Sequence, residues 1–154
     1  MSEKMKPPGR TKHDGLTLLG NSRAGFPESP EKARLETFPN PFPQRDYRIR
    51  IDSPQFTSLC PVTGQPDFAE ILIEYIPDQR CLETKSLKLY LASFRNVRSF
   101  NEQVSNRILD DLVRACQPRW MRLEAKFAAR GGLSLSVVVE HPNPGAPVRA
   151  SNSV

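Results

Sequence analysis

The sequence predicts an α+β domain in which two helices cover one face of an antiparallel sheet, in the order ββααββ. Three observations carry this prediction. Two segments in the first half alternate apolar and polar side chains, two stripes of helical period follow, and two more alternating segments come last, separated by a glycine-containing turn.

In order, DYRIRID (46–52) places Tyr47, Ile49 and Ile51 on one side, the period of a half-buried strand. FAEILIEYI (68–76) turns Ile71, Ile73 and Tyr75 inward and Glu70 and Glu74 outward. Between them FTSLCPVTGQPD (56–67) reads as a turn-rich connection, since Cys60 is followed at once by Pro-Val-Thr-Gly-Gln-Pro. From Lys85 the period changes. Leu87, Tyr90, Leu91, Phe94 and Val97 form one apolar stripe, and Val104, Ile108, Leu112, Ala115 and Cys116 form a second, ended by Pro118. Ser99 and Glu102 have the spacing of a capping box at the start of this second helix. MRLEAKFA (121–128) and LSLSVVVE (133–140) then alternate again around Ala129-Arg130-Gly131-Gly132, a hairpin. A sheet of this kind leaves two edges, and exposed edges invite pairing with another chain, so a ring-like homo-oligomer is expected.

Composition separates this domain, residues 38–141, from its flanks. Residues 1–37 mix seven Lys/Arg with five Asp/Glu and few large apolar side chains, and are expected to be mostly disordered, as is the tail 142–154. The net charge of +5 divides into +2 for the first segment, +1 for Arg149 in the tail and +2 for the domain, which argues against direct nucleic-acid binding. No run approaches the ~20 apolar residues of a membrane span. MSEKMKPPGR lacks a hydrophobic signal region, so a cytoplasmic location is expected.

Cys60, Cys81 and Cys116 are odd in number and fit no CxxC spacing, and His13 and His141 lie at the margins of the domain. A disulfide framework, a zinc site and a Cys-His nucleophile pair are therefore all disfavoured. If the Cys60 thiol reacts, Asp67 is its nearest carboxyl group in sequence and could move the proton that the thiol and its adduct exchange. Lys85, Lys88 and Arg95 share one arc of the first helix, either a solvated flank or a phosphate-binding surface, with Arg130 and Gly131-Gly132 as further candidates. Glu83 and Glu102 complete the set. Glu102 either belongs to the capping box or points outward to accept two hydrogen bonds from a guanine-like edge. No GxGxxG follows a strand, which excludes a Rossmann mode for any dinucleotide.

FTSLCPVTGQPDF, YIPDQRCLETKSLKLYLASFRN and KFAARGG, in this order and spacing, resemble the NADPH-dependent nitrile reductases of queuosine biosynthesis. These enzymes reduce 7-cyano-7-deazaguanine (preQ0) to its aminomethyl form (preQ1). The resemblance spans about residues 38–140, with a fainter echo at 15–21, and Glu83-Thr84-Lys85-Ser86-Leu87-Lys88-Leu89-Tyr90 fits the family signature E-(S/T/L)-K-(S/A)-hydrophobic-K-(L/Y)-aromatic. It implies the tunnelling fold (T-fold) shared with GTP cyclohydrolase I, whose subunits close their sheets into stacked rings with active sites between subunits. It also implies Cys60 as nucleophile, Asp67 as acid/base group, Glu83 and Glu102 as contacts to the deazaguanine, and Lys85, Lys88, Arg130 and Gly131 as cofactor-binding residues. On this reading the thiolate adds to the nitrile to give a thioimide that hydride reduces, and no metal is needed. One departure is Asn101, where the family commonly has His beside the substrate glutamate; Asn cannot hold a proton near neutral pH. The alternatives are a tunnelling-fold pterin or purine hydrolase, whose Cys and His zinc ligands are missing, and a non-catalytic purine-binding module.

Overall fold

The computed structural model describes residues 15–20, 23 and 25–143 of the 154-residue chain. Residues 1–14 and 144–154 of the two flanks, with His13 and Arg149, lie outside the described residues. The elements are β1 (Thr37–Pro39), β2 (Ile49–Leu59), β3 (Pro66–Ile76), β4 (Arg80–Leu82), α1 (Thr84–Ala92), a 3₁₀ turn (Ser93–Asn96), α2 (Asn101–Cys116), β5 (Trp120–Arg130) and β6 (Leu133–His141). The long strands form one antiparallel sheet in the order β2-β3-β5-β6, and β1 pairs with β4 beside it. This is the α+β, two-helix architecture that the sequence predicts.

Alternation builds the sheet. On β3, Ile71, Ile73 and Tyr75 are essentially inaccessible while their neighbours face outward, and on β5 Met121, Leu123, Ala125 and Phe127 continue the same inner face. Leu87, Tyr90 and Leu91 of α1, Phe94 of the 3₁₀ turn, and Val104, Ile108, Leu109 and Leu112 of α2 close over it. Phe94 meets both Tyr90, edge to face at 5.3 Å, and Phe56 of β2 at 5.7 Å, so the first helix is locked onto the sheet through rings. The opposite face of the sheet stays open, with Phe68 and Val138 exposed.

Four features differ from the sequence reading. First, β2 does not stop at Asp52. A bulge between Ser53 and Phe56 absorbs Pro54, which has no N–H for the ladder, and pairing resumes through Leu59. The turn-rich connection thus shrinks to residues 60–65. Second, the capping box at Ser99 does not form. Leu59 donates to Val97 O and accepts from Ser99 N, which holds residues 97–99 extended, so Phe100 is the residue before the helix and Ser99 lies one position too early. Third, α1 is capped by Glu83, whose two carboxylate oxygens each accept a backbone N–H at 2.7 Å, from Lys85 and Ser86. Fourth, the packed chain begins before residue 38: Ala33 and Leu35 lie against the core, and Glu36 is 4% exposed. Their apolar content is too sparse to show a period, and they pack by filling the gap beside β1.

Leu123 lies at the centre of this core, fully buried on an inner strand. Leu123→Ala is expected to cost about 2–5 kcal/mol, read as a lower urea midpoint with unchanged slope. Val138→Ala, on the exposed face, should change stability by no more than about 0.5 kcal/mol. Equal effects at the two positions would contradict the placement of the core.

Candidate active site

The hairpin between β2 and β3 sets the position of the one accessible thiol. Ser58 stands opposite Asp67 and Leu59 opposite Pro66, so Cys60 is the first residue past the last pair and Asp67 the second residue of the return strand. The turn is closed by Cys60 N–H to Gln65 O at 2.8 Å and Gly64 N–H to Cys60 O at 2.9 Å. Gly64 has φ +71°, a conformation that favours glycine, and the guanidinium end of the exposed Arg98 side chain lies over it. Thr63 N–H points at the sulfur at 3.5 Å. The Thr63 side chain and amide and the Val62 amide, with a smaller part from Arg130, bring the Cys60 thiol down to about 7, against a weak opposing effect of burial. Cys116, enclosed in the core, is pushed up to about 12, chiefly by desolvation.

Arg130 reaches this hairpin from the end of β5. Its Nε lies 2.9 Å from Asp67 Oδ1, and its terminal nitrogen donates to Pro66 O at 3.0 Å and Gln65 O at 3.3 Å. Asp67 is 8% exposed, so this ion pair is its partner at the rim of the core. The resemblance assigned Arg130 to the cofactor, whereas here it joins the acid, the turn and the thiol. Gly131 and Gly132, at φ +55° and +80°, form the tight turn after it and have open space where a Cβ would stand.

Asn101 and Glu102 open α2 on the same end of the domain, through the contacts of Leu59 with residues 97–99. Asn101 O accepts from Ser105 Oγ, and the Glu102 side chain is exposed. Glu83 and Lys85 stand elsewhere. They sit at the far end of α1, which with the 3₁₀ turn puts roughly 20 Å between them and the Cys60 end. Lys88 follows one turn later on the exposed side of α1, at the rim of a cavity of about 400 Å³ whose walls include Phe26, Ile51, Pro54 and Leu87. The candidate residues thus form two groups, Cys60, Asp67, Arg130, Asn101 and Glu102 at one end and Glu83, Lys85 and Lys88 along α1.

Sequence reasoning passed over three residues near these groups. Arg98 packs on Gly64, Ser58 is fully buried opposite Asp67 with its hydroxyl unpartnered among the described residues, and Glu36 joins Glu83. Each acts across 34 residues or more or across a strand pair, and only the odd polar Ser58 beside an apolar alternation leaves a local trace. No cluster of three or more His, Cys, Asp or Glu among the described residues could hold a metal ion.

Comparison with known proteins converges on one family. The model of the QueF-like protein family matches residues 66–146. The NADPH-dependent 7-cyano-7-deazaguanine reductases of Nitrosospira multiformis and Thiobacillus denitrificans are 57% and 59% identical over 120 residues, 78% of this chain and 86% of each relative. That of Methylobacillus flagellatus is 60% identical over 116 residues, 75% of this chain and 83% of the relative. Among solved structures, the apo form of the archaeosine synthase QueF-Like superposes with a TM-score of 0.59 at 25% identity, covering 65% of this chain and 96% of that one. With a two-helix antiparallel domain, a hairpin thiol beside an aspartate and identities of this size, this chain belongs to the family of NADPH-dependent 7-cyano-7-deazaguanine reductases and has its tunnelling fold.

Proposed function

We propose that the chain reduces the nitrile of 7-cyano-7-deazaguanine to the aminomethyl group of preQ1 with NADPH, in the cytoplasm, as a step of queuosine biosynthesis. The observation that carries the reading is the hairpin end: a thiol held at about 7 beside the Asp67–Arg130 pair, in a chain 57–60% identical to reductases of that name. A nitrile accepts hydride poorly. Attack by the Cys60 sulfur on the nitrile carbon opens one C–N π bond and forms a C–S bond, giving a thioimide whose carbon is the better acceptor. Asp67 takes the thiol proton and delivers it to the nitrile nitrogen, so charge never accumulates there. Arg130 keeps the Asp67 carboxyl turned toward the turn and the sulfur. After reduction at the thioimide carbon, Cys60 departs as thiolate, which its depressed pKa favours.

Each NADPH would supply one hydride when bound, so two are used per nitrile, one for the thioimide and one for the imine left when Cys60 departs. Lys85 and Lys88 lie three residues apart on one side of α1, and Lys88 rims an apolar-walled cavity, an arrangement that fits a nucleotide with its phosphates at the rim. Gly131 and Gly132 leave open space at the other end, through which an anion could approach the backbone. Glu83 and Glu102 both suit the paired N–H groups of a deazaguanine, because a carboxylate accepts about four hydrogen bonds and Glu83 uses two in capping. One small substrate does not bridge the two ends of one subunit. A neighbouring copy therefore supplies the Glu83 side of each site, within a homo-oligomer of stacked rings built along the open edges β2 and β6. No helix among the described residues is long and apolar enough to cross a membrane.

Three measurements test this reading. Incubation with preQ0 alone should add the mass of one substrate to Cys60 and none to Cys60→Ala, NADPH should discharge the adduct, and Asp67→Asn should bind but turn over at least about a hundredfold more slowly. No adduct and no NADPH oxidation would overturn the assignment. Alkylation of Cys60 by iodoacetamide should rise with pH around a midpoint near 7, because a lowered pKa leaves thiolate above that value and loses it below. Thr63→Ala and Arg130→Gln should both move the midpoint upward; a wild-type midpoint at about 8.5 would show that the turn does not activate the thiol. Finally, co-assembling Cys60→Ala with Glu83→Gln should restore about a quarter of wild-type activity, since random mixing leaves one site in four with both sides intact. Mixtures as inactive as their parents would place the two residues on one subunit or remove Glu83 from the site.

A further inference from the structure

Glu36 is a buried carboxylate that the reaction does not use. Its side chain is 2% exposed, yet it faces no closer cation than Arg34, whose Nε stands 3.9 Å away on a largely exposed side chain. Its partners come instead from a segment 19 residues earlier. Thr17 donates its backbone N–H to both carboxylate oxygens at 3.0 Å and its hydroxyl to Oε1, and Leu18 N–H adds a donor at 3.3 Å. These donors outweigh the cost of burial and hold the Glu36 carboxyl below the usual carboxylate range, so it is charged at neutral pH.

The backbone of Glu36 faces the other way. Its carbonyl accepts Glu83 N–H at 2.9 Å, and its N–H donates to Ser86 Oγ at 2.9 Å. Ser86 in turn donates its hydroxyl to Glu83 O and its N–H to the Glu83 carboxylate. One residue thus ties residues 15–20 on its side-chain side to the Glu83 cap on its backbone side. The docked segment has a consequence for shape. Leu16 and Leu19 form one wall of a cavity of about 490 Å³ whose opposite walls include Ile49, Tyr75, Leu82 and Glu83. That volume falls within the range of small-molecule sites. Leu19 remains 46% exposed, so the wall is held by the Glu36 bonds far more than by its own burial.

We propose that Glu36 is a positioning residue for substrate binding: it docks residues 15–20 as a wall of the cavity onto which Glu83 opens, and so fixes the depth and apolar character of the pocket that receives the deazaguanine. This rests on the reading of Glu83 as a substrate contact. A purine ring needs an apolar surface as well as a carboxylate, and Leu16 and Leu19 supply it only while Thr17 is held.

Three variants and two readouts test it in the full-length protein. Glu36→Gln replaces one acceptor by an NH₂ that faces the Thr17 and Leu18 donors, and Thr17→Val removes one donor at constant shape. Both should speed tryptic cleavage after Arg23, and both should raise KM for 7-cyano-7-deazaguanine, about tenfold for Glu36→Gln and less for Thr17→Val, with kcat within about twofold. Leu16→Ala should raise KM without speeding cleavage. Faster cleavage with unchanged KM, or a fall in kcat at unchanged KM, would overturn the positioning role, and unchanged cleavage in both variants would overturn the clamp. Absence of NADPH oxidation in the wild type would defeat the functional reading itself, while the cleavage comparison would still decide whether Glu36 holds the segment.

Discussion

The register of β2 against β3 is the constraint on which the rest of the site depends. Side chains alternate faces along a strand, so a slip of β3 by one residue would send Asp67 to the open face of the sheet, away from the side that Ser58 faces. The register is pinned from both ends. At one end the bulge at Ser53–Phe56 adds one residue to β2 so that Phe56 can meet Phe94 and Ala69 at once. At the other, the Cys60–Gln65 and Cys60–Gly64 hydrogen bonds close the turn, and the positive φ of residue 64 favours glycine. Arg130 arrives correctly because β5 pairs with β3, Ala69 standing opposite Phe127. A local turn and three strands therefore place thiol, acid and guanidinium together, with no side chain reaching far.

The buried carboxylates have been given separate tasks by their partners. Asp67 is held by one guanidinium at the rim, where an arriving substrate can compete for it. Glu83 and Glu36 are held by N–H and O–H donors of the protein itself, four backbone amides and one hydroxyl between them. Hydrogen bonds to a carboxylate stabilise its charged form without introducing a mobile cation, which suits the recognising and positioning tasks proposed for Glu83 and Glu36 better than the exchange of a proton.

Periodicity made the fold legible. Each long element spans enough residues to show its period, and the inward set Ile71, Ile73 and Tyr75 was readable directly. The strands β1 and β4 were not readable, because three residues cannot display an alternation and their pairing joins positions 37 and 82. The capping box failed for a tertiary reason: Ser99 has the right neighbours, but the end of β2 claims its backbone. Glu83 was visible through the signature around it, yet its role as a helix cap was not, since Glu is an uncommon residue before a helix. Glu36 and Thr17 could not have been paired from the sequence, because nothing local links a lone Glu to a Thr 19 residues earlier.

Asn101 gains a physical explanation from its place in the first turn of α2. That end of the helix carries the positive end of the backbone dipole, and Phe100, the residue before it, supplies no side-chain acceptor to offset it. For a histidine in this position the helix end would disfavour the imidazolium and the Glu102 carboxylate in the same turn would favour it, while a neutral ring would donate and accept. Asn offers a neutral donor and acceptor as well, in a shorter side chain. What the substitution changes is therefore reach, shape and the presence of a titratable ring. In the mechanism proposed above, proton transfer rests on Asp67 and the thiol and asks nothing of Asn101.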